Sequence, residues 1–91
     1  MTRVELYSKQ RCPLCEDAIE VLQALRARYE FDLVLHDIAA DPALWERFKY
    51  DVPVVFIAGE RAFKHRVIPA EVEKRLLAAG TSVAQKARDG A

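Results

Sequence analysis

The sequence predicts a single α/β domain of order β-α-β-α-β-β-α, with a four-stranded mixed sheet flanked by three helices. Three observations carry that prediction. Apolar residues recur at 3–4 spacing from Leu14 to Tyr29, the mark of a helix with one buried face. A near-continuous apolar run, Leu33-Val34-Leu35, follows it and suits a strand in a parallel pair covered on both faces. Val54-Val55-Phe56-Ile57 then meets Ala58-Gly59, and glycine at the second position of so short a connection suits a tight hairpin.

Ninety-one residues make one domain, and a chain of this size buries roughly 60–65% of its unfolded surface without needing metal or disulfide staples. Fourteen basic residues balance fourteen acidic ones. No overall field favours nucleic acid or an anionic membrane, and neither is expected as a partner. No apolar run approaches the ~20 residues of a membrane span. Met1 to Leu6 has no apolar core of the signal-peptide kind, because Glu5 interrupts it. A cytoplasmic monomer is the expectation.

In chain order, Val4 and Leu6 alternate with Arg3, Glu5 and Tyr7 and read as the first strand. The first helix starts at Cys12 or Pro13. Proline suits a first helical position, where a backbone N–H would go unpaired anyway, and Glu16 and Asp17 suit the positive end of the dipole. Leu14, Ala18, Val21, Leu22, Leu25 and Tyr29 form its apolar stripe. Phe31 to Ile38 is the second strand, and a right-handed crossover links it to the first. Asp41-Pro42 opens a short second helix with Leu44, Trp45 and Phe48 on one side. Trp45 and Phe48 are read as core. Val54 to Ile57 and Arg61 to His65 form the hairpin. Pro69 to Ala79 is the last helix, with Val72, Leu76 and Leu77 inward and Gly80 as its stop. The domain covers residues 1–80. Residues 81–91 are small, polar and without periodicity, and a frayed or disordered tail is expected there.

Both cysteines sit in Cys12-Pro13-Leu14-Cys15, where a strand feeds a helix. A cysteine attacks as its thiolate, and a free thiol with pKa ~8.5 is mostly protonated at neutral pH. The unpaired N–H groups and dipole at a helix start stabilise the sulfur anion, with Lys9 and Arg11 nearby as further positive charge. Residues three apart share a helix face, so Cys15 reaches Cys12. Cys12 therefore attacks a disulfide and Cys15 resolves the mixed disulfide. Two bland readings stand beside this one: an inert structural pair, and half of a zinc site that His36 and His65 complete only if the fold brings them to the helix start.

With Tyr7-Ser8-Lys9 before the dithiol, Val52-Pro53-Val54-Val55-Phe56 after the second helix, and the closing hairpin and helix, the chain from about Arg3 to Ala79 resembles the glutaredoxin branch of the thioredoxin fold. It is similar in particular to small bacterial glutaredoxin-like proteins. The resemblance implies a thiol–disulfide oxidoreductase with Cys12 as exposed nucleophile and Cys15 as resolving partner. It implies a cis-proline at Pro53, with the Val52 backbone as a substrate contact. Lys9 matches a lysine that approaches the thiolate and a glutathione carboxylate. Pro13 and Leu14 complete the expected substrate-binding set. The implied partner is a disulfide-containing protein or small molecule, with no tightly bound cofactor and glutathione as one candidate reductant.

The chain departs from the family pattern at two places. Asp51 stands where a threonine is usual before Val52-Pro53. Phe63-Lys64-His65-Arg66-Val67 occupies the place of a Gly-Gly motif that receives the γ-glutamyl end of glutathione, so glutathione dependence is left open. Two runner-up readings are a metal-binding module, holding zinc or a bridged iron–sulfur cluster (which a rigid Pro13 disfavours), and a non-catalytic thioredoxin-fold interaction module. Lys64-His65-Arg66 is either a receptor for an anionic substrate group or a solvated strand end. Asp37 is expected to cap the turn after the second strand. His36 is read as a strand residue with no chemical role, and Tyr7 as packing beside the site.

Overall fold

The computed structural model describes residues 1–84. Its elements are β1 (Thr2–Ser8), α1 (Pro13–Leu25), β2 (Tyr29–Asp37), a 3₁₀ turn (Ile38–Ala40), α2 (Pro42–Phe48), β3 (Val54–Ile57), β4 (Glu60–Lys64), α3 (Pro69–Ala78) and β5 (Ser82–Val83). The strands lie in the order β4-β3-β1-β2-β5. β1 and β2 pair in parallel, as the sequence predicts, with Val4 opposite Leu33 and Leu6 opposite Leu35. β1 with β3, and β3 with β4, are antiparallel. No helix among the described residues is long and apolar enough to cross a membrane.

Alternation along the strands splits the interior in two. Val4, Leu6, Val55 and Ile57 point to the main core, where Ala18, Leu22 and Leu25 of α1 and Val72 and Leu76 of α3 cover them. Tyr7, Val54 and Phe56 point to the other face. There they meet Phe48 of α2, Ile38, Val52 and the two cysteines in a second, smaller cluster. The hairpin turn is Ala58-Gly59, with positive φ at both residues (53° and 82°). That is the backbone of a type I′ turn, whose twist matches the strands it joins.

Expectations are corrected at several elements. The sheet has five strands, not four. α3 ends in a Schellman motif: Gly80 at φ +81° donates its N–H to the Leu77 carbonyl at 3.0 Å, and Thr81 donates to the Leu76 carbonyl at 2.9 Å. This turns the chain back so that Thr81 is buried, its hydroxyl donating to that of Thr2 at 2.8 Å, and Ser82 and Val83 pair with Glu30 and Tyr29. A two-residue strand is too short to show alternation in sequence. Of the residues assigned to the tail, 81–84 therefore carry Thr81, β5 and Ala84, and residues 85–91 lie outside the described residues.

Tyr29 begins β2 instead of ending the stripe of α1, which stops at Leu25. It is buried and donates its hydroxyl to Glu73 of α3 at 2.7 Å. Leu77, expected inward, is 53% exposed, because α3 turns only Val72 and Leu76 fully into the core. The run Leu33-Val34-Leu35 is not covered on both faces. Leu35 stays 46% exposed, and among the described residues β2 beyond Glu30 has no neighbour on its outer side.

Candidate active site

The site is built where β1 hands over to α1. Arg11 adopts a left-handed conformation (φ 58°), and Cys12 is extended (φ −120°, ψ 100°) and caps α1, with Pro13 in the first turn. The Cys12 sulfur accepts a hydrogen bond from the Cys15 backbone N–H at 3.2 Å. This is the position that an N-cap oxygen normally fills, so one of the unpaired donors of the helix start is spent on sulfur. Cys12 and Cys15 are disulfide-bonded, with Cα atoms 5.1 Å apart. The two sulfurs have unequal surroundings. Cys15 is 1% exposed and belongs to the second core cluster, whereas Cys12 is half-buried and packs on its edge.

The wall opposite is the loop between α2 and β3. The Val52–Pro53 peptide is cis, and both residues are buried. Val52 shares the cluster with Cys15 and Phe48. Its N–H is donated to the Phe48 carbonyl at 3.1 Å, and the Pro53 carbonyl accepts from His65 N–H at 2.8 Å. The ring of His65 in turn lies 3.1 Å from the Tyr50 carbonyl. The end of β4 thus braces the proline loop. Asp51, the acidic departure from the family pattern, is paired with Arg61 at 3.2 Å instead of facing the dithiol unpaired.

Lys9 borders one pocket with Cys15, and its cation already has partners. Its ammonium donates to the Lys49 carbonyl at the end of α2 (3.2 Å) and sits 5.7 Å from the centroid of Trp45. Trp45, expected as core, is 39% exposed: α2 turns Phe48 inward and leaves Trp45 on its flank, under Lys9. Leu14, between the cysteines, is 42% exposed and shares a shallow groove with Asp17, His65, Arg66, Val67 and Ile68. Of the basic trio, His65 and Arg66 line this groove. Ile68 lies outside the sequence-derived site. It caps α3 without a side-chain hydrogen bond and is 52% exposed beside Leu14. An apolar N-cap carries no sequence signal of its own.

Behind the dithiol, Tyr7 stacks on His36 (centroids 4.4 Å apart, planes 13° apart) and packs on Phe48 (4.7 Å) and Phe56 (5.5 Å). Burial and the nearby Glu5 carboxylate hold the Tyr7 phenol above its ordinary value. Tyr7 packs beside the site, as its place in the sequence suggested. His36 has partners that the sequence did not reveal, since its ring also meets Glu5 at 3.0 Å. Asp37 caps the following turn through Ala39 N–H at 2.9 Å, as expected. With His36 on Glu5 and His65 on Tyr50, neither histidine joins the cysteines. Among the described residues no three His, Cys, Asp or Glu side chains cluster as metal ligands.

A helix-capping cysteine joined to a buried one, facing a cis-proline across a β4-β3-β1-β2 sheet, defines a thioredoxin-fold protein. Within that class the chain belongs to the family described as "Glutaredoxin-like domain (DUF836)", whose family model matches residues 3–77. Solved structures agree. The structural genomics target protein XcR50 from X. campestris is similar at 29% identity and TM-score 0.66, over 82% of this chain and 96% of that one. Desulfothioredoxin from Desulfovibrio vulgaris Hildenborough, in its reduced form, is similar at 25% identity and TM-score 0.64, over 86% and 80%. A thioredoxin from Plasmodium falciparum shares the fold at 13% identity and TM-score 0.62, over 91% and 74%.

Proposed function

We propose that the protein is a thiol–disulfide oxidoreductase in which Cys12 is the nucleophile and Cys15 the resolving thiol. The observation that carries this reading is the unequal pair at the start of α1: Cys12 is accessible and accepts a backbone N–H, while Cys15 is 1% exposed. In the reduced protein the Cys12 thiolate attacks one sulfur of a substrate disulfide, a new S–S bond forms, and the other sulfur leaves as a thiolate. Cys15 then loses its proton and attacks the Cys12 sulfur. The substrate's second sulfur leaves, and the Cys12–Cys15 disulfide closes. Two electrons have passed to the substrate, and a thiol reductant returns the protein to its dithiol. Cys15 is within reach of Cys12 for this step, because their Cα atoms lie 5.1 Å apart, inside the span that a disulfide bridges.

The substrate surface on this reading comprises Pro13, Leu14, Val52 and Pro53. Val52 N–H is already donated to Phe48, so a substrate strand bonds to its carbonyl or displaces that contact. Lys9 belongs to the set only if it leaves Lys49. The groove at Leu14 and Ile68 offers apolar side chains where glycines would admit the backbone of glutathione. It suits a disulfide within a protein segment at least as well as glutathione.

The deciding measurement is the rate of Cys12 alkylation against pH in the reduced protein. An apparent pKa well below the ~8.5 of free cysteine is expected, and a value at or above it removes the nucleophile assignment. Reduction of a model disulfide, driven in parallel by glutathione and by a thioredoxin-reductase system, identifies the reductant.

A further inference from the structure

β2 is held along its inner side by β1 through all the pairs from Thr2–Phe31 to Ser8–Asp37. On its outer side β5 reaches only Tyr29 and Glu30, and Ala84 N–H closes on the Arg28 carbonyl at 2.9 Å. Among the described residues, nothing pairs with the outer edge from Phe31 to Asp37. β5 runs antiparallel to β2, so the chain leaves Val83 away from this stretch.

Backbone groups alternate between the two sides of a strand. Arg28 turns its carbonyl toward β5, so Asp32, Val34 and His36 turn theirs to the open edge. Val34 is the midpoint of that edge. Laying a second β2 antiparallel about a two-fold axis at Val34 sets Val34 opposite Val34, Leu33 opposite Leu35, and Asp32 opposite His36. Outward groups then meet outward groups, and N–H···O=C bonds form at Val34–Val34 and at both Asp32–His36 pairs. On one face the half-buried Leu33 of one copy covers the exposed Leu35 of the other. On the other face the Asp32 carboxylate meets an imidazole whose Nε2 is held by Glu5 at 3.0 Å. Arg3, in register with Asp32, is the other charged neighbour.

Charged residues on an edge usually prevent pairing, but here they select one register. Centring on Asp32 sets like charges against each other and drives the second strand into β5, while centring on His36 leaves Phe31 to Val34 open. We infer that β2 is a self-association edge, through which two copies of this chain join antiparallel about Val34 into one continuous sheet. The interface is isologous, so it closes at two copies. It places the two dithiols at opposite poles, both open to substrate, so the inference does not rest on the proposed activity.

The test is the mass of the full chain in solution over micromolar to millimolar concentrations, by sedimentation equilibrium. A concentration-dependent rise from 10.3 kDa toward twice that mass is expected. Asp32→Lys, which sets a cation against His36 at both ends of the pairing, is expected to weaken association about tenfold, with far-UV circular dichroism and Cys12 alkylation unchanged. In a Cys12→Ser/Cys15→Ser background, Val34→Cys is expected to give a covalent dimer with a short thiol-to-thiol crosslinker. A chain that remains at 10.3 kDa throughout overturns the inference. So does a dimer that is indifferent to Asp32→Lys and not captured at residue 34, because its interface then lies elsewhere.

Discussion

Phe48→Ala tests whether the second core cluster is what holds the dithiol and its proline wall together. Phe48 is fully buried, with Tyr7 at 4.7 Å, Phe56 at 6.2 Å and the Arg47 guanidinium 4.7 Å from its centroid. Truncating a buried phenylalanine costs about 3–5 kcal/mol. The two lost aromatic pairs, worth about 0.5–1.5 kcal/mol each beyond burial, put this site in the upper half, at about 4–5 kcal/mol. A chain of this length has a total stability of about 5–14 kcal/mol, so the variant is marginal. Phe48→Leu, which keeps most of the volume, should lose only about 1–2 kcal/mol. Urea unfolding followed by far-UV circular dichroism measures both. With an m of about 1–3 kcal/mol/M, the Ala midpoint should drop by more than about 1 M. In the reduced Leu variant under native conditions, Cys15 should alkylate faster than in the parent, because its cover is loosened. A loss below about 1.5 kcal/mol for Phe48→Ala at unchanged m, with Cys15 still protected, would refute the reasoning and assign the site's support to the main core.

Other outcomes follow from the same geometry. Cys15→Ser should trap a mixed disulfide on Cys12, visible by mass spectrometry, and Cys12→Ser should trap none; trapping in both variants contradicts the assigned roles. Ala58→Asn should stabilise by about 0.5–1 kcal/mol in thermal or urea unfolding, because Ala58 holds φ 53° at a type I′ position where asparagine is at home. Gly80→Ala should cost about 1–2 kcal/mol: an added Cβ meets nothing within 4 Å, so only the φ of +81° is penalised. Stability should also fall as pH rises above about 10. The folded protein holds the phenol of Tyr29 above its ordinary 10.0, mainly through the hydrogen bond to Glu73, and that of Tyr7 above it mainly through burial. The unfolded chain therefore releases those protons first, and alkali favours it. Tyr29→Phe should flatten the alkaline limb of the stability profile, and an unaltered limb argues against the Glu73 contact.

Most of the frame was legible because it rests on periodicity and on punctuating residues. Pro13, Pro42 and Pro69 each open a helix, Asp37 and Asp41 cap the elements that follow them, and Gly59 and Gly80 take the positive φ values that end a strand and a helix. The dithiol was legible because its chemistry is local, with both sulfurs on one turn. What escaped depends on distant partners. β5 exists because Thr81 finds Thr2, a contact between residues far apart in the chain. Tyr29 fits the spacing of α1 but is claimed by Glu73. Trp45 and Phe48 look alike on a helical wheel, and only the position of Tyr7 and Phe56 decides which is buried. Lys9 matched a family position, yet its ammonium is taken by the Lys49 carbonyl, a bond that no local pattern encodes.

The displacement of Trp45 from the core has an optical consequence. It is the chain's single tryptophan, and it is half in solvent beneath Lys9, three residues before Cys12. Ultraviolet emission from this protein therefore reports on the seam between the β1–α1 loop and α2, and hardly at all on the main hydrophobic interior. Any rearrangement of Lys9 between the oxidised and reduced states is written into the quantum yield and colour of one indole. The proposed redox cycle can then be followed without an added label, while global unfolding calls for a second, independent signal.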